Sequence, residues 1–346
     1  MGLNEQQLKQ LIMTNAKSKN LIKSATIELL DYCNFYCPHC YVHNQYMNKM
    51  DINLYKKIID ELANIKCIWL LLTGGEVTLH PNFIEMYEYA YDRGLLITIF
   101  TNGYSINNDI IDLFRKKPPY EIEITLYGYN DETYYNFTKI KDSYSKVIKN
   151  VDSLIDIKSK LKLKTVVVKP LLKYLDKIKN VATSKNLEFR QDGILVPTIN
   201  GNCKTYNFRV PAKTLAFLDK NDANIIYKKN KDKNLSDDLY TCEAGNNSIF
   251  IDARAKMYIC MMSRIDYYDL SKNNSTIKEG QHTLLKNKKS KLKLTSKNKC
   301  FRCKLRMFCR YCPGVFKLAT GSEYKHIPYY CQYSKEMSNY AEGNNE

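Results

Sequence analysis

From residue 24 to residue 196 short apolar runs alternate with longer amphipathic ones, and this rhythm constrains the fold more than any other feature. Residues 25–30, 68–72, 95–100, 121–126, 163–168 and 187–196 read as six strands. The stretches 53–63, 82–91, 108–115, 144–157 and 172–183 between them read as helices. Strands that alternate with helices form βαβ units and a parallel sheet. The runs IWLLL, LLITIF and TVVV are apolar throughout, as strands covered on both faces are. Six such units predict an α/β architecture, a partial (β/α)6 barrel that is TIM-like but open. Chemistry in such a barrel sits in loops at the C-terminal strand ends. Cys33 follows the first strand, Gly74 to Glu76 the second, Thr101 to Gly103 the third, and Tyr127 and Gly128 the fourth.

Twelve cysteines are a heavy load for a chain whose first residues, MGLNEQQLKQ, lack the apolar core of a secretory signal. No apolar run reaches the roughly 20 residues needed to cross a bilayer, so a cytoplasmic protein with no membrane partner is expected. In a reducing compartment, cysteines at short fixed spacings serve as metal ligands rather than disulfides. Ten of them fall into two groups: 33, 37 and 40, then 242, 260, 300, 303, 309, 312 and 331. Cys67 heads the second strand and reads as a small buried hydrophobe, while Cys203 stands alone in a polar stretch.

Three thiolates within residues 33–40 can hold three irons of a [4Fe–4S] cube and leave the fourth iron open to an external ligand. A zinc site is the alternative, with His39 or His43 as fourth ligand. The C-x3-C-x2-C spacing after a first strand, joined by Gly74-Gly75-Glu76, resembles the signature of the radical S-adenosylmethionine (SAM) superfamily. The resemblance implies a cofactor-binding set around the cluster of Cys33, Cys37 and Cys40. Gly74, Gly75 and Glu76 would meet the methionine ammonium, His39 the adenine, and Thr101 and Asn102 the ribose. Thr125, in Thr-Leu-Tyr-Gly, replaces the family's serine and keeps a hydroxyl for the cofactor carboxylate. Arg190 is a further polar contact, although an arginine at a strand end commonly pairs on the surface.

The later cysteines run Cys242-x17-Cys260, Cys300-x2-Cys303-x5-Cys309-x2-Cys312 and then Cys331. This resembles the SPASM domain of peptide-modifying radical enzymes, which carries two auxiliary [4Fe–4S] clusters. The resemblance implies Cys300, Cys303, Cys309 and Cys331 on one cluster and Cys242, Cys260 and Cys312 on the other. Ser236 stands near where relatives with full ligation have an eighth cysteine. The second cluster is therefore expected to keep an open iron, unless Cys203, Asp237 or Asp238 closes it. Cys203 is alternatively a hydrogen donor. A single zinc on 300, 303, 309 and 312 would leave 242, 260 and 331 unexplained.

The expected organisation is a helical extension over 1–23, the barrel over 24–200 and a linker over 201–239 with one helix at 213–218. A small iron–sulfur domain over 240–335 and a polar tail over 336–346 follow. The small domain is short of apolar residues and needs metal to staple it. A formal net charge of +17 leaves a nucleic-acid partner or an acidic substrate open. Arginine, the usual reader of phosphate and bases, is scarce, so nucleic acid is not expected. The lysine-rich stretch 286–299 reads as a solvated loop.

The resemblance implies cleavage of SAM to a 5′-deoxyadenosyl radical that acts on a peptide or protein, by oxidation, thioether or carbon–carbon cross-linking, or epimerisation. Partners would be a precursor peptide, an electron donor such as flavodoxin or ferredoxin, and a separate leader-binding protein, since only 32 residues precede Cys33. A small-molecule dehydrogenase and a non-catalytic metal-stapled binding protein are the rival readings.

Overall fold

A computed structural model describes residues 4–42, 47–230 and 236–341 of the chain. His43 lies outside them. Six parallel strands, β1 (Ser24–Glu28), β2 (Trp69–Thr73), β3 (Leu96–Thr101), β4 (Glu121–Thr125), β5 (Leu161–Val166) and β6 (Glu188–Asp192), lie side by side in sequence order. Helices such as Ile52–Asn64 cover one face. Its apolar residues Tyr55, Ile58, Ile59 and Leu62 recur at helical spacing and are all buried. Asp51 caps its first turn, accepting from the Asn53 and Leu54 N–H groups, both at 2.9 Å.

The expected two-faced apolar strands hold for β2 and fail further along. Under the helices lie Ala25, Ile27, Leu70, Leu72, Ile97, Ile99, Ile122 and Ile124. The alternate positions of β4 to β6 carry Glu121, Glu123, Lys162, Lys164, Glu188 and Arg190. The inner face of the half-barrel is therefore ionic on that side, and one carboxylate satisfies two cations there. Glu123 Oε2 lies 3.2 Å from Lys164 Nζ and 2.9 Å from an Arg190 terminal nitrogen. A further short helix, Asp131–Thr138, precedes Ser143–Asp156, closed by a capping box between Asn130 and Thr133.

The C-terminal region extends the barrel's own sheet. Strand β7 (Ser248–Ile251) pairs in parallel with the open edge of β1. β8 (Lys256–Tyr258) and β9 (Tyr268–Asp269) follow antiparallel, giving nine strands in the order β6-β5-β4-β3-β2-β1-β7-β8-β9. Ile249, Ile251, Met257, Leu270, Ile277 and Leu284 join the main core, so the first part of this region borrows the barrel's core. Smaller clusters form round Val210, Leu215, Tyr333 and Met337, and round Val315, Phe316, Ile327 and Tyr330. Cys300, Cys309 and Cys312 pack on the last of these.

The lysine-rich stretch is not a loop at its start. Residues 286–289 are the final turn of helix Ile277–Lys289, whose buried face is Ile277, Gly280, Leu284 and Leu285. Lys288 Nζ donates to the carbonyls of Cys242 (2.9 Å) and Ala244 (2.8 Å), and Lys291 pairs with Glu323 at 3.2 Å. The apolar period begins nine residues before the lysines, so charge density alone conceals the helix. The linker also holds more structure than expected, with helix Lys220–Asn230 after Ala212–Leu218. At the opposite end of the barrel, helix Glu5–Ser18 lays Lys9 over the Trp69 ring, 5.1 Å from its centroid. Among the described residues no helix is long and apolar enough to cross a membrane.

Candidate functional site

The loop leaving β1 carries Cys33, Cys37 and Cys40, and two glycines hold it against the loop leaving β2. A Cβ on Gly75 would lie 2.0 Å from the Tyr32 carbonyl oxygen, and one on Gly74 would lie 2.4 Å from that of Leu30. No side chain fits at either position, and at Gly74 φ is +156°. The Gly75 and Glu76 N–H groups donate to Leu30 O and Tyr32 O, both at 2.9 Å. The glycines thus bring backbone to backbone, cysteine loop to strand end.

Glu76 is almost wholly buried, and its carboxylate is already engaged. Oε1 accepts from the Thr101 hydroxyl (2.5 Å), the Thr78 hydroxyl (2.6 Å) and the Thr78 N–H (3.2 Å), and Oε2 from the Asn102 N–H (2.6 Å). Burial raises its pKa above the usual carboxylate value, and these donors work against that shift. Thr101 and Asn102 are thereby fixed from below. The Asn102 amide donates to Asn34 Oδ1 at 2.8 Å and to the Cys33 sulfur at 3.5 Å. The Phe35 N–H donates to the same sulfur at 3.4 Å.

Cys40 acts electrostatically on Cys33, and Cys33 and Cys40 both act on Cys37. Burial first, and these neighbouring thiols after it, raise the pKa of Cys33 to about 12 and push that of Cys37 well up. Thiols that resist ionising in each other's company suit a cationic group that would neutralise them. The Tyr127 hydroxyl bonds to Cys37. His39 sits by the rings of Tyr127 and Phe137, centroids 6.0 and 5.2 Å away. Burial lowers its imidazole pKa to about 4, and its Nδ1 is buried without a hydrogen-bond partner. A neutral flat ring with an unmet polar atom beside three grouped thiols fits a nucleoside-bearing cofactor above a cluster.

Thr125 ends β4 in register with Lys164 of β5, which in turn faces Arg190 of β6. Arg190 is half exposed and paired with Glu123. Lys164 is the residue that sequence reasoning missed here. Its ammonium lies 3.2 Å from the Phe100 ring centroid, and burial lowers its pKa to about 8. Alternation within LKLKTV was the available signal.

The later thiols fall into two sets that interleave in sequence. Cys300, Cys303, Cys309 and Cys331 act on one another, with Cys300 raised to about 11 and Cys309 to about 12, chiefly by burial. Cys242, Cys260 and Cys312 form the other set, Cys312 being raised to about 11. A Cβ on Gly314 would lie 2.7 Å from Met262 O, so the Cys312 loop and the Cys260 loop meet through another missing side chain. Cys203 lies apart by contact, its thiol directed at Ala319 O (3.7 Å). Cys67 is buried with its thiol on Trp69 O (3.7 Å). Asp238 meets Lys293 at 3.7 Å and Asp237 meets Arg302 at 3.8 Å. All twelve cysteines stand as thiols. Among the described residues no three His, Cys, Asp or Glu side chains close round a single metal ion. A cluster of iron and sulfide is wider and takes donors set further apart.

Past the first strand of this open parallel half-barrel lie three grouped thiols, a donor set that fits a thiolate-ligated cofactor. Residues 27–171 match the family model described as the Radical SAM superfamily. The chain is 28% identical over 169 residues to the antilisterial bacteriocin subtilosin biosynthesis protein AlbA of Bacillus subtilis, covering 44% of this chain and 38% of AlbA. It is 26% identical to the AdoMet-dependent heme synthase of Methanosarcina barkeri over 51% of each chain. The matched stretch thus spans 38% of the first relative's length and about half of the second's. The fold is shared more widely: Streptococcus suis SuiB bound to precursor peptide SuiA superposes with a TM-score of 0.71 at 14% identity, over 95% of this chain and 82% of SuiB.

Proposed function

We propose that this chain is a radical SAM enzyme that modifies a peptide or protein, with two auxiliary iron–sulfur clusters in a SPASM-type C-terminal region. The observation that carries the reading is the grouping of ten thiols into three sets, of which the first sits where Asn102, Glu76 and Tyr127 converge. The likeness to AlbA, named for bacteriocin biosynthesis, supports a peptide substrate. The shared fold with SuiB extends through the C-terminal region and supports that region's place in the enzyme.

Bound there, the cluster and SAM would supply one-electron cleavage of the sulfonium and a 5′-deoxyadenosyl radical. Cys33, Cys37 and Cys40 would hold the cluster. Gly74 and Gly75 bring the β2 loop against the cysteine loop, and Glu76 fixes Thr101 and Asn102 rather than standing open to a ligand. His39, kept neutral by burial, would lie beside the adenine. Thr125 would offer its hydroxyl to the cofactor carboxylate, with Lys164, paired to Glu123, next to it in the sheet. Cys300, Cys303, Cys309 and Cys331 would hold one auxiliary cluster, and Cys242, Cys260 and Cys312 the other. Partners would be a precursor peptide, a flavodoxin- or ferredoxin-type electron donor and a separate leader-binding protein, in the cytoplasm.

The test is anaerobic reconstitution followed by dithionite reduction with SAM. Three clusters call for about twelve irons per chain, together with 5′-deoxyadenosine formation that Cys33→Ala abolishes. About four irons, or turnover undiminished in Cys33→Ala, defeats the reading. The likeness to a heme synthase makes a porphyrin the rival substrate, so mass analysis of candidate peptides and of porphyrins separates the two.

A further inference from the structure

Between the loop of Cys40 and the loop of Cys260 lies a buried charge pair that the functional reading leaves unused. Glu28, at the end of β1, is buried on the inner face of the sheet. Its Oε2 lies 3.4 Å from Arg264 Nη1, with side-chain exposures of 4% for Glu28 and 8% for Arg264. Arg264 is further held by its Nε, which donates to Met261 O (3.2 Å), and by the Phe250 ring, 4.6 Å from its guanidinium carbon. With the fork pinned on these sides, Nη2 is buried and makes no hydrogen bond. A buried guanidinium N–H left unmet is costly, so the residue calls for an acceptor.

The acceptor belongs where the thiols are. Arg264 lies four residues beyond Cys260 and within its electrostatic reach, acting to favour the thiolate. Tyr41, which follows Cys40, donates its hydroxyl to Met261 Sδ at 3.0 Å and is itself acted on by Glu28, Arg264, Cys40 and Cys260. No other cation is placed on Cys260 by the contacts described, and Glu28, Tyr41 and Tyr258 are the other polar side chains that interact with the guanidinium. Hydrogen bonds to cluster sulfur and nearby positive charge both favour the reduced cluster, which carries one more electron.

We propose that Arg264, held in place by Glu28, is a positioning residue that donates from Nη2 to the sulfur of the auxiliary cluster on Cys242, Cys260 and Cys312, and so raises that cluster's reduction potential. This rests on the reading of those thiols as cluster ligands. A raised potential makes that cluster the better acceptor of an electron leaving a substrate radical, the electron reducing the cluster by one unit while the substrate loses a proton to solvent.

The test uses the full chain, reconstituted anaerobically, as wild type, Arg264→Gln and Arg264→Lys, with Cys242→Ser to mark which signal belongs to this cluster. Potentials are read by electron paramagnetic resonance across a dithionite-poised titration, beside the iron count. In Arg264→Gln the signal absent from Cys242→Ser shifts to lower potential, with iron unchanged and SAM cleavage at the first cluster retained. Arg264→Lys, which keeps the charge and loses the fork, shifts in the same direction by less. A wild-type potential in Arg264→Gln overturns the assignment, and if that variant fails to hold iron, a wild-type potential in Arg264→Lys overturns it equally. Should Cys242→Ser lose no iron, the cluster reading itself has failed, a result distinct from an unmoved potential.

Discussion

A single amide joins the third strand to the first thiol: Asn102 reaches Cys33 from one side while its own N–H is held by Glu76. Groups that orient a metal ligand typically cost about 10–100-fold in metal retention or activity when removed. Asn102→Ala should therefore lower 5′-deoxyadenosine formation by that order while Cys300 and its set keep their iron. A variant with wild-type turnover would show the contact to be incidental. His80 gives a pH prediction away from the thiols. The Asn82 N–H donates to its Nδ1 (3.1 Å), so Nε2 carries the proton and donates to Met50 O (3.0 Å). Burial lowers the imidazole pKa below its ordinary value, which means the folded state resists a proton that the unfolded chain accepts. The contribution is complete above the unfolded value of about 6.5 and is lost as pH falls through the folded one, with a slope of at most about 1.4 kcal/mol per pH unit. Chemical denaturation at pH 7.5 and 5.5 should show a smaller loss in His80→Gln than in wild type; equal losses would refute the link. At this scale the sequence names candidate residues but not what each one touches. Glu76 reads as a free carboxylate for an ammonium until its four donors are placed, and Arg190 stands with Glu123.

Elements are where the missing side chains matter. The β2 loop lies on the cysteine loop only because Gly75 has no Cβ; an alanine methyl would enter the Tyr32 carbonyl, at 2.0 Å, and backbone cannot yield as a flexible side chain can. Gly75→Ala should unseat the loop and lose the iron of the first set, with destabilisation well above the about 1 kcal/mol of an ordinary substitution. Gly94→Ala is the control: nothing lies within 4 Å of its added Cβ, and only the strain of φ +77° is incurred. Iron analysis and thermal unfolding of both should separate them, and similar behaviour would sink the argument. The barrel helices and the first five strands were legible because apolar period marks a covered face. Helix Asp131–Thr138 was not, since DETYYNFT is short and its buried apolar face, Tyr134 and Phe137, lies among polar residues, with a capping box to fix its start. β6, reading EFRQD, was set too long for a related reason: polar edge strands carry no apolar signal to mark where they stop.

Across the whole molecule the division into barrel and small domain, natural in the sequence, meets a sheet that runs through both. β7 is four residues long and sits amid loop-forming sequence, so nothing local marks it as a strand or pairs it with β1. The grouping of cysteines into an early and a late run, by contrast, is visible in the sequence itself, because short fixed spacings stand out where apolar pattern is silent. The continuous sheet has a thermodynamic consequence. Ile251 is fully buried in the same core as Ile27 and Leu72, so the barrel and the C-terminal region share an apolar core. Truncating such a residue typically costs about 2–5 kcal/mol. Because the core is shared, that cost should fall on both regions at once. Ile251→Ala is expected to lower the unfolding temperature of the barrel's secondary structure, followed by far-ultraviolet circular dichroism, and the loss of the C-terminal thiols' iron absorbance by the same amount. In wild type the two signals should change together, as coincident probes do in a cooperative transition. Two separated transitions, with the mutation moving only the later one, would mean that β7 rests on the sheet without completing it.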